Sequence, residues 1–302
     1  MIDVLIITDN EEANVGYCLE ALSGWTSQIF VVDSGSTDRT EEIAREHGAE
    51  FIHQDWLGYA AQKNFALEHL PFTSDWILIV DADEVITEDL RREIEAVCAR
   101  PVDEVEESGF YLNRRLIFMG RPIRHCGYFP SWNLRLFKRG RAVYENREVH
   151  EHMIVDGPTG YLPSPMEHRD RRGLGNYIAK HNEYSTLEAQ SLVNGLRSDR
   201  DGIKASLFGN TLERRRWMKL RVYPWLPCPW VFRFLYMFIL RLGFLDGING
   251  LRFCVFITSY EMFVRLKLIE LRRANRHGDS DACVERAVTA PLESARRGGP
   301  SR

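Results

Sequence analysis

Two aspartates two residues apart, Asp81 and Asp83, close the run Asp75-Trp76-Ile77-Leu78-Ile79-Val80 and are followed at once by Glu84. If the chain is still extended there, the two-residue period of a strand turns both carboxylates the same way, which suits a hard divalent cation and its phosphate ligand. The same Asp-Ala-Asp-Glu reads equally as a solvated turn ahead of a helix starting near Thr87, because Asp is common in turns. A second acid, Asp33, ends Ile29-Phe30-Val31-Val32. A carboxylate at the mouth of a βα turn can accept from a base N–H or from ribose hydroxyls, or it can simply cap the turn. A third acidic stretch is Val149-His150-Glu151-His152, where Glu151 faces opposite to both histidines in an extended chain.

The elements that must position these acids alternate. Val4-Leu5-Ile6-Ile7 reads as a buried strand, and Thr8-Asp9-Asn10-Glu11-Glu12 as the loop into a helix with Val15, Leu19 and Leu22 on one stripe. Asp38 and Glu41 predict a capping box for the next helix, which ends near His47 with Gly48 as its C-cap. Glu50-Phe51-Ile52 is a third strand, and a helix carrying Gln62, Lys63 and Asn64 hands over to the strand ending at Asp81. Alternating strands and helices predict a parallel sheet covered on both faces, with ligands beyond the carboxyl ends of its strands. After a helix near residues 88–99, residues 109–155 hold short β-like pieces broken by Gly and Pro, which predict a mixed or antiparallel extension. Residues 174–194 read as an amphipathic helix with Tyr177, Ile178, His181, Tyr184 and Leu187 at helical spacing.

Composition excludes little but directs the search. The 302 residues have a formal net charge of -4, which gives no whole-chain reason to expect nucleic acid. Six cysteines without a Cys-x-x-Cys pair argue against a zinc knuckle or a disulfide framework. The start Met1-Ile2-Asp3-Val4 lacks a basic leader, so a cytoplasmic location is expected. From Leu212 to Arg273 twelve Lys/Arg stand against four Asp/Glu, interleaved with aromatics such as Trp217, Trp225, Trp230 and Phe244. Arg233, Arg241 and Arg252 interrupt every apolar window of about 18 residues, so helices lying on an anionic membrane surface are expected rather than a spanning one. A helical subdomain packed on the core, or a homodimer interface, would use the same residues. The segment 274–302, rich in Arg, Gly, Ser and Ala, reads as a disordered tail.

Taken in order, Ile-Ile-Thr-Asp-Asn-Glu-Glu at 6–12, Val-Val-Asp-Ser-Gly-Ser-Thr-Asp at 31–38, Gln-Lys-Asn at 62–64, Asp-Ala-Asp-Glu at 81–84, Asn-Leu-Arg-Leu-Phe-Lys-Arg at 133–139 and Val-His-Glu at 149–151 resemble family 2 glycosyltransferases of the GT-A fold. Within the family they resemble the branch of lipopolysaccharide-core β-glucosyltransferases, over about residues 2–190. The resemblance implies an α/β, Rossmann-like nucleotide-diphospho-sugar transferase: a catalytic domain over 1–205 (nucleotide-sugar half 1–100, acceptor half 101–205), then a helical, membrane-associated extension over 206–273. It implies that Thr8, Asn10, Glu11, Asp33, Lys63 and Asn64 line a nucleotide pocket. It also implies that Asp81 meets the ribose or a metal-bound water and that Asp83 ligates Mg²⁺ or Mn²⁺ at the donor diphosphate. Such a cation offsets the charge of the departing nucleoside diphosphate. An inverting displacement also needs a base for the acceptor hydroxyl, and Glu151 is the choice, with Glu148 competing. His168 could add an imidazole to the metal, and Arg135 and Lys138 could bind diphosphate or acceptor oxygens.

Two departures, Asp9 where a basic residue is frequent and Asn133 where Gln is frequent, leave fine substrate selectivity open. The expected partners are a nucleoside-diphosphate sugar such as UDP-glucose, a glycan or glycolipid acceptor and the inner face of the cell membrane. A nucleotidyltransferase, or a non-catalytic sugar-nucleotide-binding scaffold, would use the same sheet. The first would need a glycine-rich phosphate loop near residue 10, which is missing.

Overall fold

The apolar runs that the sequence places ahead of Thr8, Asp33 and Asp81 lie side by side. In the computed structural model, which describes residues 1–145, 153–195 and 228–277, β1 (Ile2–Thr8) pairs in parallel with β2 (Gln28–Asp33) and with β4 (Trp76–Asp81). The registers put Thr8 opposite Asp33 and Ile7 opposite Asp81. Both acids therefore stand at one edge of the sheet, at the carboxyl ends of their strands. β3 (Glu50–His53) extends the parallel half beyond β2.

Beyond β4 the sheet turns mixed, as the broken pattern after residue 109 predicts. β8 (Trp132–Lys138) runs antiparallel to both β4 and β6 (Gly109–Phe118). β11 (Thr159–His168) is parallel to β6, and β5 (Glu84–Val85) pairs antiparallel with the end of β11. With β7 (Arg121–Pro122) beside β6, nine strands form this sheet among the described residues, while β9 (Ala142–Tyr144) and β10 (Met153–Val155) make a separate pair. The fold is the GT-A type of α/β sheet. Nothing in the sequence pattern marks β11, because Pro163 and Pro165 interrupt it. The register slips between Leu162 and Pro165, which lets the strand pass the prolines and continue to His168.

Alternation along the central strands makes two cores. Val4, Ile6, Val31, Leu78 and Val80 face α1 (Val15–Leu22), α2 (Thr40–Glu46) and α4 (Glu88–Cys98). Leu5, Phe30, Val32, Ile77 and Ile79 face α3 (Tyr59–His69) together with Tyr144 and Phe137. Each such buried side chain contributes roughly 1.5–3 kcal/mol, so the strand ends are rigidly placed. α3 is weakly amphipathic because its inner face buries Gln62 and Lys63 beside Ala60 and Ala66.

Three local expectations are corrected. The capping box does not form: Glu41 pairs with Arg45, while Asp38 accepts from the Thr40 N–H at 3.0 Å and from the Glu12 N–H at 3.0 Å. The chain is not extended through Asp83, since β4 ends at Asp81 and residues 82–83 turn. The stretch 274–277, expected to open a disordered tail, continues a long helix to His277.

The chain divides into two units, Met1–Gly173 and a second beginning at Leu174. The described part of the second is helical: α5 (Leu174–Gly195), α6 (Pro229–Leu235), a π-turn over Tyr236–Leu240, a short 3-10 turn over Gly243–Asp246, and α7 (Gly247–His277). Ala189 of α5 packs on Leu268 and Leu271 of α7, and Lys267 Nζ donates to the Asn182 carbonyl at 2.6 Å. Among the described residues no helix is long and apolar enough to cross a membrane.

Candidate active site at the strand ends

Asp33 is buried and supplied by its own loop and by the end of β1. Thr8 Oγ1 donates to Oδ1 at 2.8 Å, the Gly35 and Ser36 N–H groups donate to Oδ2 at 2.8 and 2.7 Å, and the Ser36 hydroxyl also reaches Oδ1. Gly35 adopts φ +110°, a conformation that a side chain would strain, and this turn is what aims two consecutive N–H groups at one carboxylate. Asn10 ties the β1 loop across to it: its N–H donates to Ser36 Oγ at 2.7 Å and its Oδ1 accepts from the Thr37 N–H at 2.9 Å. Glu11 accepts from Asn14 Nδ2 at 2.8 Å and pairs with Arg172 at 3.0 Å. Thr8, Asn10, Glu11 and Asp33 thus form one connected wall.

Asp81 and Asp83 part company at the turn. Asp81 receives both terminal nitrogens of Arg135, one at 3.2 Å, with Lys63 Nζ 3.6 Å away. Burial alone would raise the Asp81 carboxyl, but Arg135 and then Lys63 hold it well below the usual carboxylate range. Glu84, fully buried, accepts from the Asp81 N–H at 3.0 Å and from Arg135 Nη2 at 2.9 Å, with Arg114 3.7 Å off. Its own carboxyl is pushed up, chiefly by burial, against the pull of Arg135. Burial works against charge on Arg135 too, yet Asp81 and Glu84 lock the guanidinium in its cationic form.

Asp83 points instead to β11, where His168 Nε2 lies 3.1 Å from its Oδ2. Burial disfavours the imidazolium, and the Asp83 carboxylate outweighs that, raising His168 above its usual value. The β5–β11 register, with His168 opposite Glu84, and the Arg169 N–H on the Asp83 carbonyl at 2.8 Å fix this pair. The contact is a hydrogen-bonded ion pair when His168 carries its proton, and its length is also about the 3.0 Å that separates two adjacent ligands of an octahedral cation with bonds of about 2.1 Å. Among the described residues no group of three or more His, Cys, Asp or Glu surrounds one point. A magnesium-type site uses one or two carboxylates with waters and substrate phosphates, so Asp83 meets that need and His168 would add a nitrogen beside it.

The remaining expected residues distribute unevenly. Lys63 lies 4.9 Å over the Tyr144 ring, and Asn64 exchanges two hydrogen bonds of 2.8 Å with the Tyr144 backbone, so α3 pins β9. Lys138 is at the far end of β8 and donates to the Val105 carbonyl at 2.6 Å, away from the acids. Glu148 and Glu151 lie outside the described residues. Sequence reading missed Glu84 as the junction of the charge network, along with Arg114 and Arg172. The only available signal for Glu84 was its place in Asp-Ala-Asp-Glu.

A model of the glycosyl transferase family 2 matches residues 3–153, half of the chain. A lipopolysaccharide core biosynthesis glycosyltransferase, LpsC of Rhizobium meliloti, is 34% identical over 204 residues, 64% of this chain and 72% of that protein. The chain belongs to glycosyl transferase family 2. An uncharacterized glycosyltransferase of Rickettsia typhi is similar over more of the family 2 chain, 29% identical across 91% of it and 89% of the relative. Among solved structures, TarS of Staphylococcus aureus matches at 14% identity with a TM-score of 0.40, over 66% of this chain and 40% of that one. Glucosyl-3-phosphoglycerate synthase of Mycobacterium tuberculosis matches at 20% identity and a TM-score of 0.32, over 38% and 44%. By its membership of glycosyl transferase family 2 the chain is a glycosyltransferase; the site residues from Thr8 to Arg135 fall within the matched residues, and His168 and Arg172 lie beyond them.

Proposed function

We propose that this family 2 enzyme transfers a hexose, with inversion, from a nucleoside-diphosphate donor such as UDP-glucose to a lipopolysaccharide-core or other lipid-borne glycan. The observation that carries the reading is the split of Asp81 and Asp83 at the end of β4: one carboxylate neutralised by Arg135 and Lys63, the other, one turn on, beside the His168 imidazole. In this reading the loop wall of Thr8, Asn10, Glu11 and Asp33 receives the nucleoside, and a ribose hydroxyl can take the place of the Ser36 hydroxyl on Asp33. Lys63 and the Asp81–Arg135 pair border the sugar and ribose, with Asn64 acting by fixing Tyr144. Asp83 and His168 would hold Mg²⁺ or Mn²⁺, which when bound supplies positive charge against the departing diphosphate. Deprotonation of His168 frees its Nε2 for that role.

Glu151, with Glu148 competing, is assigned the proton of the acceptor hydroxyl. β9 and β10 bracket this acidic segment, with Tyr144 paired to Met153. The basic, aromatic residues 212–273 are assigned to the inner, anionic face of the membrane, where a lipid-borne acceptor would be met. The test is release of the nucleoside diphosphate from UDP-glucose and related donors with a membrane extract and Mn²⁺. The reading expects release that EDTA abolishes and that Glu151→Gln lowers about 100-fold or more while donor binding persists. Metal-independent release, or none with any donor, contradicts it.

A further inference from the structure

The second unit ends its helix α6 in an unusual tip. The Arg241 N–H reaches back five residues to the Tyr236 carbonyl at 2.8 Å, Leu242 takes φ +55°, and the chain reverses into α7. The reversal is tight: a Cβ built on Gly250 would lie 2.1 Å from the Gly243 carbonyl oxygen, so turn and helix touch backbone to backbone. Met237 and Phe253 are fully buried beneath. The tip is thus packed inside, yet its outside is apolar. Leu240 is 72% exposed, Ile248 61%, Leu245 57%, and Phe232, Ile239 and Phe244 about half. Large apolar side chains left exposed together in one short stretch mark an interaction site.

Two features select the partner. Consecutive residues such as Ile239 and Leu240, and Phe244 and Leu245, point to different sides yet are exposed together, so the apolar exposure is not confined to one face of the turn. Apolar groups on several sides of one turn suit a medium that closes around it. The charges agree: residues 228–252 carry Arg233, Arg241 and Arg252 against Asp246 alone, with Arg241 and Arg252 exposed and the half-buried Arg233 set over the Tyr236 ring at 5.8 Å. Arginines flanking an apolar tip can extend to lipid phosphates while the tip lies at the acyl boundary.

We propose that the helical hairpin over residues 231–248 is the membrane-inserting element, entering the headgroup region of an anionic bilayer with Leu240, Leu245 and Ile248 leading and Arg233 and Arg241 at the phosphates. This deepens the membrane-surface reading above and rests on it, but not on the donor chemistry at Asp83 and His168.

The test is co-sedimentation of the full chain with phosphatidylethanolamine–phosphatidylglycerol vesicles and with phosphatidylcholine vesicles, at low and high salt. Sedimentation velocity of the free protein runs in parallel. The combined variant Leu240→Ser/Leu245→Ser/Ile248→Ser should lower the partition coefficient about tenfold or more, with its unfolding midpoint and UDP release from a soluble donor assay unchanged. Arg233→Gln/Arg241→Gln should weaken binding to the anionic vesicles alone and flatten its salt dependence. If the serine variant pellets like the wild type, the hairpin is not the inserting element even though another part of the chain binds lipid. If the wild type ignores anionic vesicles, the membrane reading falls as well. A serine variant that turns a dimer into a monomer without losing vesicle binding would make the tip a subunit contact instead.

Discussion

The two ends of the central sheet bury acids in different ways. At the amino ends of β1 and β4, Asp3 is wholly buried and accepts from the Thr73 and Ser74 N–H groups at 2.7 and 2.8 Å and from the Ser74 hydroxyl at 2.7 Å. Beside it, a cavity of about 450 Å³ is lined by Asp75, Ser108, Lys138, Arg139 and Arg141. Its cations are spent on the fold: Lys138 on a carbonyl, Arg139 on the Phe72 carbonyl at 3.3 Å and Arg141 on Asp156 at 2.7 Å. At the carboxyl ends, Asp81 and Glu84 are held by guanidinium groups, and Asp83 faces an imidazole. The hollow volume and the cation-balanced acids thus lie at opposite ends of the sheet. Both ends hold a buried acid supplied with neutral donors, Asp3 at one and Asp33 at the other, and the carboxyl ends add acids balanced by cations, a charge network that a charged ligand can enter.

The largest effect should come from the centre of that network. Arg135→Met leaves the buried Glu84 and the partly exposed Asp81 facing each other and should cost about 3–5 kcal/mol in urea unfolding, with Arg135→Lys recovering part of it. Asp83→Asn and His168→Gln should act on turnover instead. Transfer should fall about 100-fold or more, with unfolding free energy changed by less than about 1 kcal/mol. Asp3→Asn at the opposite end should cost about 1–3 kcal/mol of stability and leave turnover per folded molecule intact. Loss of turnover in Asp3→Asn, or a stability loss in Asp83→Asn as large as in Arg135→Met, would erase the distinction between the ends.

The smallest effect is an acid one. Because Arg135 and Lys63 depress Asp81, its ionised form stabilises the fold above the ordinary carboxylate value of about 3.9, and that contribution is lost as pH falls below it. Glu84, pushed up by burial, takes its proton earlier and does not add to this loss. Wild type should therefore lose stability more steeply than Asp81→Asn between pH about 4 and 2, read by thermal unfolding.

Much of this architecture is legible from residues alone. The runs ending at Thr8, Asp33 and Asp81 read as parallel strands because β-branched and apolar residues buried on both faces leave little else. Their carboxyl ends then place the acids together. The divergence of Asp81 and Asp83 is not legible, since it depends on a turn at residues 82–83 and on Arg135, 54 residues away. His168 was a candidate by residue type, but the strand that delivers it is hidden by Pro163 and Pro165. The Asp38–Glu41 spacing predicts a reciprocal cap, but only half of it forms: Asp38 shares its carboxylate between the local Thr40 N–H and the Glu12 N–H of the neighbouring loop, and Glu41 turns to Arg45.

The central claim is that Asp83 and His168, and not Asp81, hold the cation. Calorimetric titration of Mn²⁺ into the protein in the presence of UDP tests it directly. The account predicts that Asp83→Asn and His168→Gln each weaken Mn²⁺ binding about 100-fold or more, while Asp81→Asn changes it by less than about tenfold. Wild-type affinity in Asp83→Asn, or collapse of binding in Asp81→Asn alone, would contradict it.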